Sequence, residues 1–192
     1  MFFYLTTSLT GKSTKKYKID SSIKIESGIS SGTFSFTEIF HGFEKLDTVK
    51  EIFGPNTLEI LSKLKVEVFP RNGFMGVSDE DGHIFASRQY INQGETWSVY
   101  LDAVHELVHV RQFMEGKNLF DPAYAYVDRP TEVEAYRIGA KEARRIGLSD
   151  EEIFDYLKVP WITKSEHVRL ADSCDVATDL IVSSKKVAKK KK

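Results

Sequence analysis

The sequence predicts an α+β fold: a small mixed or antiparallel sheet packed on one long buried helix, with a helical C-terminal part. Three observations predict it. Glu95 to Met114 contains no Gly or Pro and sets Trp97, Leu101, Val104 and Val108 at helical spacing, with Leu107 and Val110 widening the apolar surface. Upstream, KVEVF at Lys65 to Phe69 alternates with the period of a strand. Downstream, two capping-box patterns, Ser149 to Glu152 and Thr163 to Glu166, mark helix starts.

Taken in order, Tyr17 to Ile25 has enough alternation for an early strand, and the Gly/Ser-rich run Ser27 to Ser35 reads as a loop. Thr37 to Phe53 and Asn56 to Leu64 read as short helices. Gly54-Pro55 breaks them and Asn56 is placed to cap the second. Gly76 to Ser78 and His83 to Tyr90 flank the turn Asp79 to Gly82, a hairpin that leads into the long helix. A second long helix starts near Arg129-Pro130-Thr131, runs to Ile146 and stops at Gly147. Lys141, Arg144 and Arg145 suit the negative end of its dipole. Ser149 to Leu157 and Thr163 to Ala171 follow as two further helices, separated by Pro160-Trp161. The expected organisation is one domain over 1–184, with 1–75 as a possible N-terminal subdomain and 185–192 as a basic tail.

Composition narrows the class. A chain of 192 residues with 41% hydrophobic and 29% charged content can bury a real core, which excludes a disordered chain. A net charge of −1 gives no global field toward nucleic acid. The single cysteine, Cys174, cannot form an internal disulfide; this fits a reducing compartment, and a packing role is expected for it. No run is apolar enough for a membrane span. The start MFFYLTTSLTGKSTKK has no positive region ahead of its apolar patch, so a cytoplasmic location is expected. Gly11-Lys12-Ser13 resembles the end of a phosphate loop, but Thr6 stands where the first Gly is needed. The tail holds six Lys between Lys185 and Lys192. Contact with nucleic acid through it is conceivable, yet no aromatic residues interleave for base stacking, and a solvated tail is expected.

The chemistry concentrates in His105-Glu106-Leu107-Val108-His109, an HExxH pattern. Residues four apart share a helix face, so both imidazoles can hold one metal ion. Glu106 sits about 100° around the helix, where it can act on water without being a ligand. A buried helix cannot carry two His and a Glu without partners, and a metal provides them for the histidines.

A catalytic zinc normally has three protein ligands and an open position. No His follows His109 until His167, so an acidic residue of the second long helix is the better third ligand. Thr131 followed by Glu134 reads as a capping box, which gives Glu134 a structural task and favours Glu132 as ligand, with Glu134 as the alternative.

HELVH followed by Glu132-Val133-Glu134-Ala135 on a second helix resembles the gluzincin branch of the zincin metallopeptidases, over roughly Gly76 to Gly147. The resemblance implies a zincin-like fold in which the sheet packs on the metal helix. It also implies Zn²⁺ as cofactor and, independently of the cap, Glu132 as third ligand. It further implies that the strand before the metal helix, His83 to Tyr90, is a sheet edge along which an extended peptide lies. Tyr136 departs from families that place there an Asp to orient a ligand His; Asp102, Asp121 and Asp128 are candidate substitutes.

The expected function is zinc-dependent peptide hydrolysis of a peptide or protein substrate, with Glu106 as general base. Tyr124, Tyr126, Tyr136 and His167 are candidates to stabilise the oxyanion. The alternative is a non-catalytic zincin-like metal-binding protein with a regulatory or binding role. An intact Glu106 argues against it, because a purely structural site has no need of a base there.

Overall fold

The computed structural model describes residues 17–179 and 181. The Gly11-Lys12-Ser13 pattern, the N-terminal apolar start and the lysine tail lie outside them. The first elements are short: strands β1 (Lys24–Ile25) and β2 (Gly32–Ser35), helix α1 (Phe36–Ile39) and strand β3 (Phe40–His41). Helices α2 (Asp47–Phe53) and α3 (Thr57–Lys63) follow, then strands β4 (Lys65–Phe69), β5 (Met75–Val77) and β6 (Ile84–Ser87). The remainder is helical: α4 (Arg88–Gln93), α5 (Thr96–Met114), α6 (Pro130–Arg145), α7 (Asp150–Tyr156) and α8 (Lys164–Ser173). The fold class is therefore α+β with mixed strand directions.

β1 and β3 form a two-stranded antiparallel pair. The main sheet has the order β2-β4-β6-β5, with β4 and β6 parallel and the outer pairs antiparallel. Along β4, Val66 and Val68 turn inward while Lys65 and Glu67 face solvent, which is the alternation of a half-buried strand. α5 is buried nearly all round, and it packs against α6, α2 and β5. Leu101, Val104, Leu107 and Val108 are fully enclosed, and each contributes about 1.5–3 kcal/mol by burial.

The hairpin lies directly on α5. Gly82 has φ +75°, and a Cβ there would meet the Phe113 ring of α5 at 2.3 Å. Only glycine serves at that point, both for the turn and for the close approach. Gly76 is likewise pressed under the Phe85 ring, 2.5 Å from where its Cβ would stand.

Several expectations need correction. The long early helix is broken into α1, β3 and α2, because Gly42 at φ +82° turns the chain between them. Within the Gly/Ser run expected as a loop, Gly32–Ser35 is a strand, held by antiparallel pairing with β4 that local composition does not reveal. The early strand shrinks to Lys24–Ile25. Asn56 makes no side-chain cap; instead the Thr57 hydroxyl donates to Gly54 O at 2.7 Å. β6 ends at Ser87, whose hydroxyl caps α4, so residues 88–90 are helical. Most important for substrate access, β6 is an interior strand and β5 is the edge.

The helices after the hairpin follow the sequence closely. The capping boxes at Ser149 and Thr163 both form. The one at Thr131 does not. α6 starts at Pro130 with Arg129 at the N-cap, two residues before Thr131; the fixed φ of Pro130 suits the first helical position, and the Thr131 hydroxyl donates to Leu119 O at 3.2 Å.

Candidate metal centre and cleft

α5 and α6 run antiparallel, so the C-terminal half of α5 meets the first turns of α6. There the two imidazoles of α5 face Glu132. His105 Nε2 and His109 Nε2 stand 3.0 Å apart, and each lies 3.5 Å from Glu132 Oε2. All three residues are buried, and their donor atoms are close enough to hold one metal ion.

The trio fits a metal on two counts. Ligand atoms at roughly 2.0–2.1 Å around a tetrahedral zinc stand about 3.3 Å from one another, and the observed spacings bracket that value. Glu132 Oε2 is also buried without a hydrogen-bond partner among the described residues. A buried, unsatisfied carboxylate oxygen is costly unless a cation completes it. The electrostatics agree. Burial works to raise the Glu132 carboxyl, but the two imidazoles outweigh it and hold the group at about 2. Burial works to lower His109, yet Glu132 and Glu106 overcome it and raise the imidazole to about 9. The site thus favours positive charge between its carboxylates, as a proton or as a metal ion.

Glu134, the alternative ligand, points elsewhere. It takes hydrogen bonds from Arg111 at 2.6 Å, Gln112 at 2.8 Å and Lys117 at 3.2 Å. Its structural task is real but differs from the expected cap: it ties the start of α6 to the end of α5. Gln112 is the residue the sequence reading missed. Its Oε1 lies 2.7 Å from His109 Nδ1, while its Nε2 donates to Thr131 O at 3.0 Å as well as to Glu134. Its place three residues after His109, on the same helix face, was the available signal.

His105 has no such partner: its Nδ1 is buried and unpaired among the described residues. The Tyr136 ring packs on its imidazole at 4.3 Å and orients it by contact. None of the three candidate aspartates bonds either imidazole. Asp121 accepts from Ala123 N and Asp128 pairs with Arg169. Asp102 accepts from the Tyr90 hydroxyl and, at 2.7 Å, from the Tyr156 hydroxyl. Burial still pushes Asp102 upward despite those bonds.

The trio opens into a cleft of about 650 Å³ that Glu106 also lines. Glu106 is 8% exposed, and burial raises its carboxyl above the usual range against the pull of both imidazoles. The edge strand β5 forms one wall, with Phe74 beside it; Tyr126, Tyr136 and Trp161 form another. Tyr126 and Tyr136 hydroxyls lie 2.8 Å apart. Burial, with carboxylates nearby, pushes both phenols well above their usual range, so they stay protonated.

Two oxyanion candidates are displaced. Tyr124 is exposed and does not line the cleft. His167 is buried, and its Nε2 lies 2.6 Å from Phe154 O, away from the cleft. Cys174 is buried, and burial raises its thiol, as a packing residue requires. No helix among the described residues is long and apolar enough to cross a membrane. Comparison with family models, with curated proteins and with solved structures gave no match for this chain.

Proposed function

We propose that this chain is a zinc-dependent peptidase of the gluzincin kind. His105, His109 and Glu132 would hold the ion and Glu106 would serve as general base. The observation that carries the proposal is the buried trio with its orphaned carboxylate oxygen, opening into a cleft that Glu106 also lines. Zinc, when bound, supplies Lewis acidity that makes water acidic near neutral pH and draws electron density from a carbonyl.

The chain's own residues supply the rest. Glu106 takes a proton from the attacking water as its oxygen bonds to the scissile carbon. It returns that proton to the leaving amine as the C–N bond breaks. Its raised affinity for a proton suits both halves of the transfer. The Tyr126–Tyr136 hydroxyl pair offers protonated donors to the developing oxyanion. The open edge of β5 presents backbone groups on which an extended peptide can pair. That role passes to β5 from His83 to Tyr90, since β6 is enclosed on both sides.

Glu106→Gln tests the reading. Zinc content, measured by metal analysis, should be unchanged, and the release of new amino termini from an unfolded protein should fall about 10²–10⁴-fold. Persisting hydrolysis would remove Glu106 from its role. Stoichiometric zinc in the unmodified chain with no hydrolysis would favour the non-catalytic alternative.

A further inference from the structure

Tyr126, one of the two proposed oxyanion donors, is held on several sides. It opens the 3-10 turn Tyr126–Asp128, and Arg129 N donates to its carbonyl oxygen at 3.3 Å. In such a turn side chains three residues apart eclipse, so Arg129 follows Tyr126 onto the same side. The guanidinium carbon of Arg129 stands over the Tyr126 ring, 5.8 Å from its centroid. Trp161 and Tyr136 meet the same ring near the perpendicular, at centroid distances of 5.6 and 6.4 Å.

What this guanidinium lacks is a carboxylate. Its Nε is buried without a hydrogen-bond partner, and among the described residues no Asp or Glu pairs with it. Asp128, next to it in the chain, pairs with Arg169, and Glu132 faces the two imidazoles. The remaining residues, 1–16, 180 and 182–192, contain no Asp or Glu. The ring of Tyr126 is therefore the group that meets the Arg129 charge. A cation over an aromatic face is attracted by the ring quadrupole. The same cation draws π density away from the phenol oxygen, and a phenol depleted in this way is a better hydrogen-bond donor. The gain is largest toward a charged acceptor, which the oxyanion is and the ground-state carbonyl is not.

We infer that Arg129 is a positioning residue for the hydrolysis: its guanidinium fixes the Tyr126 ring and makes the Tyr126 hydroxyl the stronger donor of the Tyr126–Tyr136 pair. Arg129 does not line the cleft, so it acts through Tyr126. The oxyanion rests on the peptidase reading; the effect of the cation on Tyr126 does not.

Arg129→Met keeps much of the side chain and removes its charge. In the zinc-loaded full chain it should lower kcat about fivefold and leave KM in place. Two binding measurements need no turnover. The chain has two tryptophans and both line the cleft, so their emission reports occupancy. An acetylated phosphinic tripeptide, whose phosphinate mimics the tetrahedral oxyanion, should bind about fivefold more weakly to Arg129→Met than to the parent. The ordinary tripeptide of the same sequence should bind Glu106→Gln equally well with and without Arg129→Met. In a Tyr126→Phe background, Arg129→Met should cost the phosphinic peptide nothing further. Zinc content should stay as in the parent. Arg129→Gln, equally uncharged, repeats the measurements if Arg129→Met melts earlier. Equal weakening of both peptides overturns the role, as does a loss that persists in Tyr126→Phe, which would be direct attraction between charges. Lost zinc would also overturn it, by making Arg129 a support of Glu132, and so would a zinc-loaded parent that does not bind the phosphinic peptide. The expected binding pattern in a protein that never cleaves would overturn the hydrolytic reading and still support the action of Arg129 on Tyr126.

Discussion

The two ends of the α5–α6 pair hold the same residue type under opposite conditions. At one end Glu142 is fully buried and takes hydrogen bonds from Thr48 at 2.6 Å, from the Tyr100 hydroxyl, and from Arg145 at 2.5 and 2.8 Å. At the other end Glu132, earlier on the same helix, is also buried, but one of its oxygens has no hydrogen-bond partner among the described residues and faces two imidazoles. Both carboxyls are held below their usual range, Glu142 by Arg145, Thr48 and Tyr100 against the effect of burial. The difference lies in what completes them. The protein satisfies Glu142 entirely with its own donors, which makes that end part of the fold. It leaves Glu132 short, beside a cleft, which makes that end a place for something to bind.

The widest separation between the two ends should come from removing Glu142. Glu142→Ala leaves the hydroxyl protons of Thr48 and Tyr100 without their acceptor and Arg145 without its carboxylate, and should cost about 3 kcal/mol, or about 6–12 °C in melting temperature for a chain this size. The loss should be the same with and without zinc. A variant that melts like the parent would make the satisfied end no more structural than the other.

Glu132→Gln should behave in the opposite way. Without zinc its melting should stay close to the parent's above pH 9, where the proton that couples His109 to Glu132 is lost. The stabilisation that saturating zinc confers should shrink by about 2.7 kcal/mol, the equivalent of a hundredfold weaker affinity. Calorimetric scans with and without zinc would show it, and an undiminished zinc shift would shift the ligand role away from Glu132.

Without metal, pH should also separate the ends. His109 is raised to about 9 in the fold, so its contribution is complete below its unfolded value near 6.5 and disappears as pH rises through 9. Glu142 is lowered, so its contribution holds across that window and is lost only in acid. Urea denaturation in the presence of chelator should find a loss on the order of 2 kcal/mol between those pH values, largely flattened in Glu132→Gln. A flat profile in the parent would contradict the coupling of His109 to the carboxylates. The smallest effect belongs to Gln112→Leu, which removes the partner of His109 Nδ1. Zinc affinity by competition with a chelator should fall about tenfold, and an unchanged affinity would reduce Gln112 to packing.

What the sequence made legible was whatever depends on neighbours along the chain. The α5 helix, the β4 alternation and the caps at Ser149 and Thr163 are all local patterns, and they stand where expected. The meeting of His105, His109 and Glu132 was legible because a helix fixes i,i+4 geometry, the second helix carries its own start and stop signals, and the resemblance gave the register of Glu132. What failed depended on distant partners. The Thr131 cap was displaced by Pro130 at the helix start and by Leu119 O as a competing acceptor. β2 needed β4, and the exchange of edge and interior between β5 and β6 followed from the parallel pairing of β4 with β6. His167 stood among the oxyanion candidates because nothing local reveals Phe154 O as its neighbour.

The Gln112 side chain has a direction, and Glu134 sets it. The amide's nitrogen end faces Thr131 O and the Glu134 carboxylate, neither of which can donate a proton. A flipped amide would turn acceptor against acceptor twice, so Oε1 must face His109. The imidazole then has to keep its proton on Nδ1 when neutral, and its lone pair is left on Nε2, toward His105 and Glu132. Glu134 touches neither imidazole, yet through one amide it fixes which tautomer His109 adopts, so this nitrogen is already a Lewis base before any ion arrives.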